Sequence, residues 1–577
     1  MFNRYYQQEL FNLKELAQEF SRAHPALAPM LSGKTSDPDV ERLMEGVAFL
    51  AGMLRQKLDD EFPEIVHGLI QLIFPHYLRP IPSTTVVSFT PRANLKESLT
   101  IPSGIEIASI PVEGTSCTFR TCGDIDVHPL SLTDAVLLTS PGGPTRIRLS
   151  LSLTGMKLSQ WRCDRLRFFI GGDYSEATDI YFLLNRYVRK IVLQPQEGGH
   201  ARELPPEKLQ PAGFAPDEAL FTYPGQSFPG YRLLQEYFIL PEKFLFVDLV
   251  DIGEWITRGE GAAFDIIFEL APAPIPMPRI RKDNFALFVA PAVNVFSHEA
   301  DPFVVNHQQP EYRVRPSART DGHYQVFAID RVTGLVQGSV EHREYMPFAF
   351  FGQQEQEQPV YNVAWKNSLI SRKPEVYLGL TYPPSVDLVA SETLSVKLLC
   401  TNGNLPENLQ LGDISQPTES SPELMDFRNI LPPTASIQPP IGTNTLWQFL
   451  SHLSLNYLSL ARRDNIKELL RLYIFPEGHD RTRIAANTRR VEGILDVSTT
   501  AKDRLVKGYM MRGREVGMKL RRDYFASPGD MFLFGSVMDY FYGVYSSMNC
   551  FTQLVIEEST TGERYTWPPR IGDRPLT

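Results

Sequence analysis

Cysteine is scarce in this chain, with five in 577 residues: Cys117, Cys122, Cys163, Cys400 and Cys550. An odd number scattered through a large protein excludes a disulfide framework and predicts free thiols. Long apolar runs are missing as well. No window approaches the roughly 18 residues a membrane span requires, and the opening MFNRYYQQELFNLKELAQEF is amphipathic rather than a signal-peptide core. The expected location is the cytoplasm. Hydrolase signatures are lacking too, since neither a G-x-S-x-G elbow nor an H-E-x-x-H helix occurs.

Weaker chemical signals fail on their context. Gly33-Lys34-Thr35 precedes a helix, but Ala28 stands where a phosphate loop needs Gly, and no strand leads into it. Cys117 and Cys122 have no second Cys or His pair at zinc spacing and read as strand thiols. A base sits beside a carboxylate at His298-Glu299 and at Gly478-His479-Asp480. No catalytic residue, cofactor-binding residue or metal ligand is expected, and the chain reads as non-enzymatic.

What is present begins with 46 prolines, an enrichment that suits many short strands joined by stiff turns. The net charge of -10 is uneven, because residues 451–526 hold 16 Lys or Arg against 9 Asp or Glu. The basic residues are spread along predicted helices and strands with little aromatic interleaving. That pattern argues against nucleic acid and for a solvated face or contact with an acidic protein surface.

The most informative stretch is 37–80. Asp37-Pro38 is a helix start, and apolar residues recur at Val40, Leu43, Met44, Val47, Leu50, Ala51, Leu54 and Leu58 with helical period. Between Leu43 and Leu54 only Glu45 is charged, while Gly46, Ala48, Ala51 and Gly52 keep the other sides small. Such a helix wants neighbours all round. Two glycines at roughly 1 kcal/mol of helix propensity each make sense where another backbone comes close. Two readings follow, an intermolecular packing helix and the buried core helix of one domain. A first helix over Tyr5 to His24 carries Tyr6, Leu10, Leu13, Ala17 and Phe20 as a seam. Pro63 is read as opening a third helix, Glu64 to Phe74.

From Thr84 the period changes to two, without error in Arg146 to Leu153. Prolines at 272, 274, 276 and 278 suggest a boundary. The expected fold is α+β and multidomain. A helical module spans 1–83, a β-rich domain with one helix (Ser175 to Tyr187) 84–278, and a second β-rich domain 279–411. A proline-rich linker then spans 412–442, and an α+β domain of the split type 443–577. Within the last, helices are predicted at Leu446 to Leu460, Asn465 to Tyr473 and Gly529 to Ser547. Strands are predicted at Val491 to Val497, Glu515 to Arg521 and Phe551 to Glu557. The aromatics Phe532, Phe534, Tyr540, Phe541, Tyr542 and Tyr545 are assigned to core.

Several motifs resemble the TssF (ImpG/VasA) family of type VI secretion baseplate subunits. They are Tyr5-Tyr6-Gln7-Gln8-Glu9-Leu10, Asp37-Pro38-Asp39-Val40-Glu41-Arg42-Leu43, Leu58-Asp59-Asp60-Glu61-Phe62-Pro63-Glu64 and the run from Phe74 to Ser83. Later ones are Val293-Asn294-Val295-Phe296, Asn402-Gly403-Asn404-Leu405-Pro406, Leu453 to Leu458 and Trp567 to Gly572. The resemblance implies a structural wedge subunit of a contractile injection machine. Two copies would embrace one TssG through a shared helical bundle, with TssK linking the wedge to the membrane complex, TssE in the same platform, and six wedges around the hub. The family supplies no active site. The contact candidates, chosen on their chemistry, are Leu43, Val47, Leu50 and Leu54, with Tyr6, Leu13 and Phe20.

Overall fold

In the computed structural model, residues 2–572 are described apart from 24–37, 74, 140, 224–227, 319–321, 337–341, 349–357, 369–372, 384–390, 440, 442–461, 476–479, 507–508 and 547–549. The Gly33-Lys34-Thr35 turn, the Asp37 cap, nearly all of the QQEQEQ run and the expected helix Leu446 to Leu460 therefore lie outside the described residues. Among the described residues there are seven α-helices, and strands dominate from residue 84 onward.

Helix α1 spans Phe2–Ala23 and α2 spans Pro38–Ile73. The second helix runs unbroken through Pro63, where a third helix was expected to begin. Proline inside a helix removes one hydrogen bond and costs about 3 kcal/mol. The apolar repeat nevertheless resumes beyond it, and Ile70 is fully buried, so packing at the far end outweighs that cost.

Alternation then builds the sheets. Ala263–Leu270 buries Phe264, Ile266, Phe268 and Leu270 and exposes the residues between them more, as a half-buried strand should. It lies between Thr145–Leu153 and Val188–Pro195 in a five-stranded antiparallel sheet. A six-stranded sheet takes strands from distant parts of the chain, in the order Ile414–Gln416, Glu106–Val112, Thr115–Thr121, Val289–Val293, Thr84–Pro91, Met425–Asn429. The sheets thus cross two expected boundaries. The chain re-enters the first β region at 285–293 after its prolines, and the 412–442 stretch, read as a linker, supplies both edge strands. Short strands between prolines are at home on sheet edges, and Met425 and Phe427 are buried there.

Residues 296–401 form a separate eight-stranded sheet whose first and last long strands, Phe296–Glu299 and Glu392–Thr401, pair side by side. Buried Asn294 and Asn402 clasp that neck. The Asn294 amide donates to the Thr118 carbonyl and to Asn402 Oδ1, both at 2.8 Å, and its Oδ1 accepts from Thr401 Oγ1 and the Asn402 backbone N–H.

Helix α3, Tyr174–Arg186, falls where a helix was expected, whereas α4, Pro229–Ile239, was not foreseen. Its eleven residues mix apolar side chains with Arg232, Gln235 and Glu236, and no helical period stands out in so short a run. Helix α5 spans Arg463–Leu472 and α6 Arg481–Glu492. The expected strand at Val491 starts only at Ile494, because the Asp480 carboxylate caps a helix that runs to Glu492. Helix α7, Pro528–Val544, connects Tyr509–Leu520 to Cys550–Glu558, which pair directly in parallel. Adjacent pairing makes this a simple βαβ unit, not the split form expected.

Candidate functional site

Helices α1 and α2 pack on each other through small residues. Ala17, Ala48 and Gly52 are buried, and Tyr6, Leu10, Leu13, Val40, Met44 and Ala51 are half-buried. Lys14 reaches Glu41 at 3.7 Å across the pair. Another face of α2 is left exposed among the described residues: Leu43 is 69% exposed, Val47 46%, Leu50 60% and Leu54 65%. Their spacing of four, three and four residues is that of a coiled-coil seam. Phe49 is 45% and Met53 48% exposed on the same helix, and Phe11, Leu16 and Phe20 are exposed on α1.

The seven predicted positions therefore divide. Tyr6 and Leu13 serve the α1–α2 contact, while Leu43, Val47, Leu50 and Leu54 share the outer face of α2. Phe20 continues the α1 seam by spacing, yet it is exposed. Phe11, Leu16, Phe49 and Met53 were missed because they fall off the seam. For Phe49 and Met53 the signal that could have found them is the near-absence of charge around the middle of α2; Phe11 and Leu16 carry no such signal.

The pair is fastened to the β region at one end. His76, Tyr77, Leu78, Ile81 and Ser83 are all buried, and Ile81 bridges to Ile437. Arg79 donates to the Thr222 carbonyl at 3.2 Å and lies over the Phe327 ring. Burial, helped by the neighbouring Arg79 charge, pushes His76 down to about 3, so the imidazole is neutral in the anchor. Ring contact with Tyr223 at 4.8 Å fixes its place.

Elsewhere the ionisable groups are structural. Asp530 at the start of α7 accepts from Tyr174 Oη at 2.8 Å, Arg490 Nε at 3.0 Å and the Ala526 N–H at 3.0 Å. Arg490 also holds Asn487, whose amide reaches the Phe238 carbonyl. One buried ion pair thereby ties α3, α4, α6 and α7 together. A second buried cluster joins Glu236 to Lys243 and Arg232. All five thiols are free, and burial pushes Cys122, Cys163 and Cys400 up to about 12. Among the described residues no group of three His, Cys, Asp or Glu side chains is placed to hold a metal.

Apolar faces of this breadth are of the kind found where proteins associate, and the fold is that of a multidomain α+β protein. The chain belongs to the type VI secretion system TssF family, whose sequence profile matches residues 1–574. Type VI secretion system component TssF1 of Pseudomonas aeruginosa is 29% identical, the match covering 99% of this chain and 98% of that protein. Two solved structures share the fold. A chain of a TssK-TssF-TssG baseplate subcomplex, seen by cryo-electron microscopy, superposes with a TM-score of 0.76 at 28% identity, covering 93% of this chain and all of that one. A chain of the type VI secretion baseplate complex superposes with a TM-score of 0.62 at 28% identity, with both chains covered in full.

Family resemblance and structure meet at particular residues. His76 to Ser83 of the Phe74 to Ser83 motif form the anchor of the helix pair, and the Asn294 and Asn402 motifs are the neck clasp. The Trp567 to Gly572 motif closes over α7, where Trp567 stacks on Phe532 and donates to Ser536 Oγ at 3.2 Å. The Leu453 to Leu458 motif lies outside the described residues.

Proposed function

We propose that this chain is a non-enzymatic structural subunit of a type VI secretion baseplate wedge, assembling with TssG and TssK. The observation that carries the reading is the uncovered seam Leu43, Val47, Leu50 and Leu54 on a helix pair anchored at one end. Covering a large apolar side chain is worth about 1.5–3 kcal/mol, so a partner helix laid along this seam gains enough to offset the cost of association. TssG is the proposed partner of that face, two copies of this chain flanking one TssG. TssE, the neighbouring wedges and the hub complete the platform on which tube and sheath grow. The wedge works at the cytoplasmic side of the membrane-bound apparatus. No described helix is long and apolar enough to cross a membrane.

Leu50→Asp tests the reading. Leu50 faces outward, so the variant keeps its helix content by circular dichroism, and at a partner interface the carboxylate would be buried unpaired. Capture of TssG is expected to fall by at least about tenfold, the equivalent of about 1.4 kcal/mol. Undiminished capture by the folded variant would sink the assignment.

A further inference from the structure

The eight-stranded sheet of 296–401 closes on itself. Ala300 bridges Pro316, the Asp301 N–H donates to the Arg315 carbonyl and the Ser317 N–H to the Glu299 carbonyl, both at 2.9 Å. Joined edges make a barrel, and it has a core of its own in Val332, Tyr345, Leu378, Leu394, Val396 and Leu398. Such a body moves as a unit, so its position is set by what holds it from outside.

At the neck it is held stiffly. The buried Asn294 and Asn402 amides are each satisfied on both oxygen and nitrogen, Asn402 Oδ1 also accepting from the Thr118 N–H and its Nδ2 donating to the His323 carbonyl, both at 3.3 Å. Fully satisfied buried networks are rigid. His323 carries the fixing outward, with Nδ1 2.7 Å from Thr115 Oγ1 on the six-stranded sheet. Gln325 donates to Gln438 at 2.6 Å.

Two residues along the same strand, the barrel meets the foot of the helix pair. Phe327 is buried, and the Arg79 guanidinium lies over its ring at 5.5 Å. Tyr361, buried on the barrel strand Val360–Asn367, lies within electrostatic reach of the same arginine, and helix α2 touches that strand. Arg79 also holds the Thr222 carbonyl. The gap left among His76, Arg79, Tyr223, Gln235 and Phe327 is about 10 Å³, room for one water at most. Joints packed this closely transmit displacement instead of absorbing it.

We propose that the barrel is a buttress that sets the angle of the helix pair through Phe327 and Arg79, with the Asn294–Asn402 clasp as its remote fixing point. The lever is long. Leu54 and Leu43 precede the end of α2 at Ile73 by about 30 and 45 Å at 1.5 Å per residue, so one degree of tilt at the foot moves the seam by about 0.5–0.8 Å. Phe327 and Asn402 are therefore positioning residues for a surface neither belongs to. This holds for the chain alone, whichever partner covers the seam.

Hydrogen exchange of the full chain, read by mass spectrometry without any partner, tests the buttress through local opening. Phe327→Leu keeps an apolar side chain in the barrel and removes the ring beneath Arg79. Exchange of the α2 amides 64–73 is expected to rise about threefold or more, with the barrel strand Glu392–Thr401 and the strand Ala263–Leu270 unchanged. Arg79→Lys should raise the same amides, and the double variant should exceed the larger single effect by little, since both changes break one contact. Asn402→Ala should reach α2 from the neck. Unchanged α2 exchange in Phe327→Leu, single effects that multiply in the double variant, or an equal rise in all three segments overturns the proposal. Unchanged α2 exchange in Asn402→Ala overturns the part given to the clasp.

Discussion

Helices α2 and α7 begin from the same kind of sequence and end in opposite surroundings. The middle of α2, from Val47 to Leu54, and most of α7 are apolar, both helices open with proline, and both carry glycine in their interiors. In α7 the glycines are used within the chain. A Cβ on Gly529 would lie 2.1 Å from the Thr178 carbonyl oxygen, and one on Gly535 would lie 2.5 Å from the Trp567 ring. Phe534, Phe541 and Tyr542 are buried around them. In α2 a Cβ on Gly46 would meet no atom within 4 Å, and the leucines beside it face outward. Apolar girth and small residues therefore announce close neighbours, without saying whether those neighbours belong to the same chain.

The contrast can be broken at its strongest point first. Asp530→Ala would leave Arg490 buried without its carboxylate and should cost about 3–5 kcal/mol, read as a lower denaturation midpoint. A variant as stable as the parent would mean that α7 is not held by this ion pair. Gly529→Ala places its methyl against backbone that cannot move away cheaply, and about 3 kcal/mol of destabilisation is expected. Near-neutral behaviour in urea titration would show that the α3–α7 contact is looser than the geometry indicates.

The joint between the two regions has its own pH signature. His76 binds a proton in the unfolded chain from about 6.5 downward and in the folded chain only near about 3. Between those values the unfolded state holds more protons, so stability falls as pH falls through that window. His76→Phe should remove about 2–3 kcal/mol of the loss between pH 6.5 and pH 4, at about 1.4 kcal/mol per unit. An unchanged pH slope would show that the anchor does not keep its imidazole neutral.

The smallest effect has the opposite sign. Gly46→Ala meets no obstacle and should stabilise α2 by about 0.5–1 kcal/mol, seen as a higher helix content or melting temperature. On the proposed function it also weakens TssG capture, because the added methyl occupies the space a partner backbone needs. A variant that gains stability and keeps full capture would leave Gly46 without a partner-side role.

Much of the architecture was legible where a single period dominates. The faultless alternation of Arg146 to Leu153 and the apolar repeat of Val40 to Leu54 depend on local geometry alone. Legibility failed where a long-range contact overrode a local signal. Pro63 looked like a helix break, and the 412–442 prolines looked like a linker until Met425 and Phe427 found a sheet edge. Val491 looked like strand, but it follows Arg490, which must lie on a helix to reach Asp530. The candidate surface was half legible for the same reason. Leu43, Val47, Leu50 and Leu54 follow from spacing, whereas the exposure of Phe11, Leu16 and Phe20 depends on how α1 rolls against α2.

By itself the sequence determined which stretches are helix or strand over most of their length and that 38–54 is apolar beyond the needs of one surface helix. Those properties follow from side-chain volume and periodicity, which each segment carries alone. Only the tertiary structure decided that α7 is buried within the chain and that the outer face of α2 is left exposed among the described residues. Burial is a property of pairs of surfaces, and the partner of a given surface is fixed by the path of the whole chain.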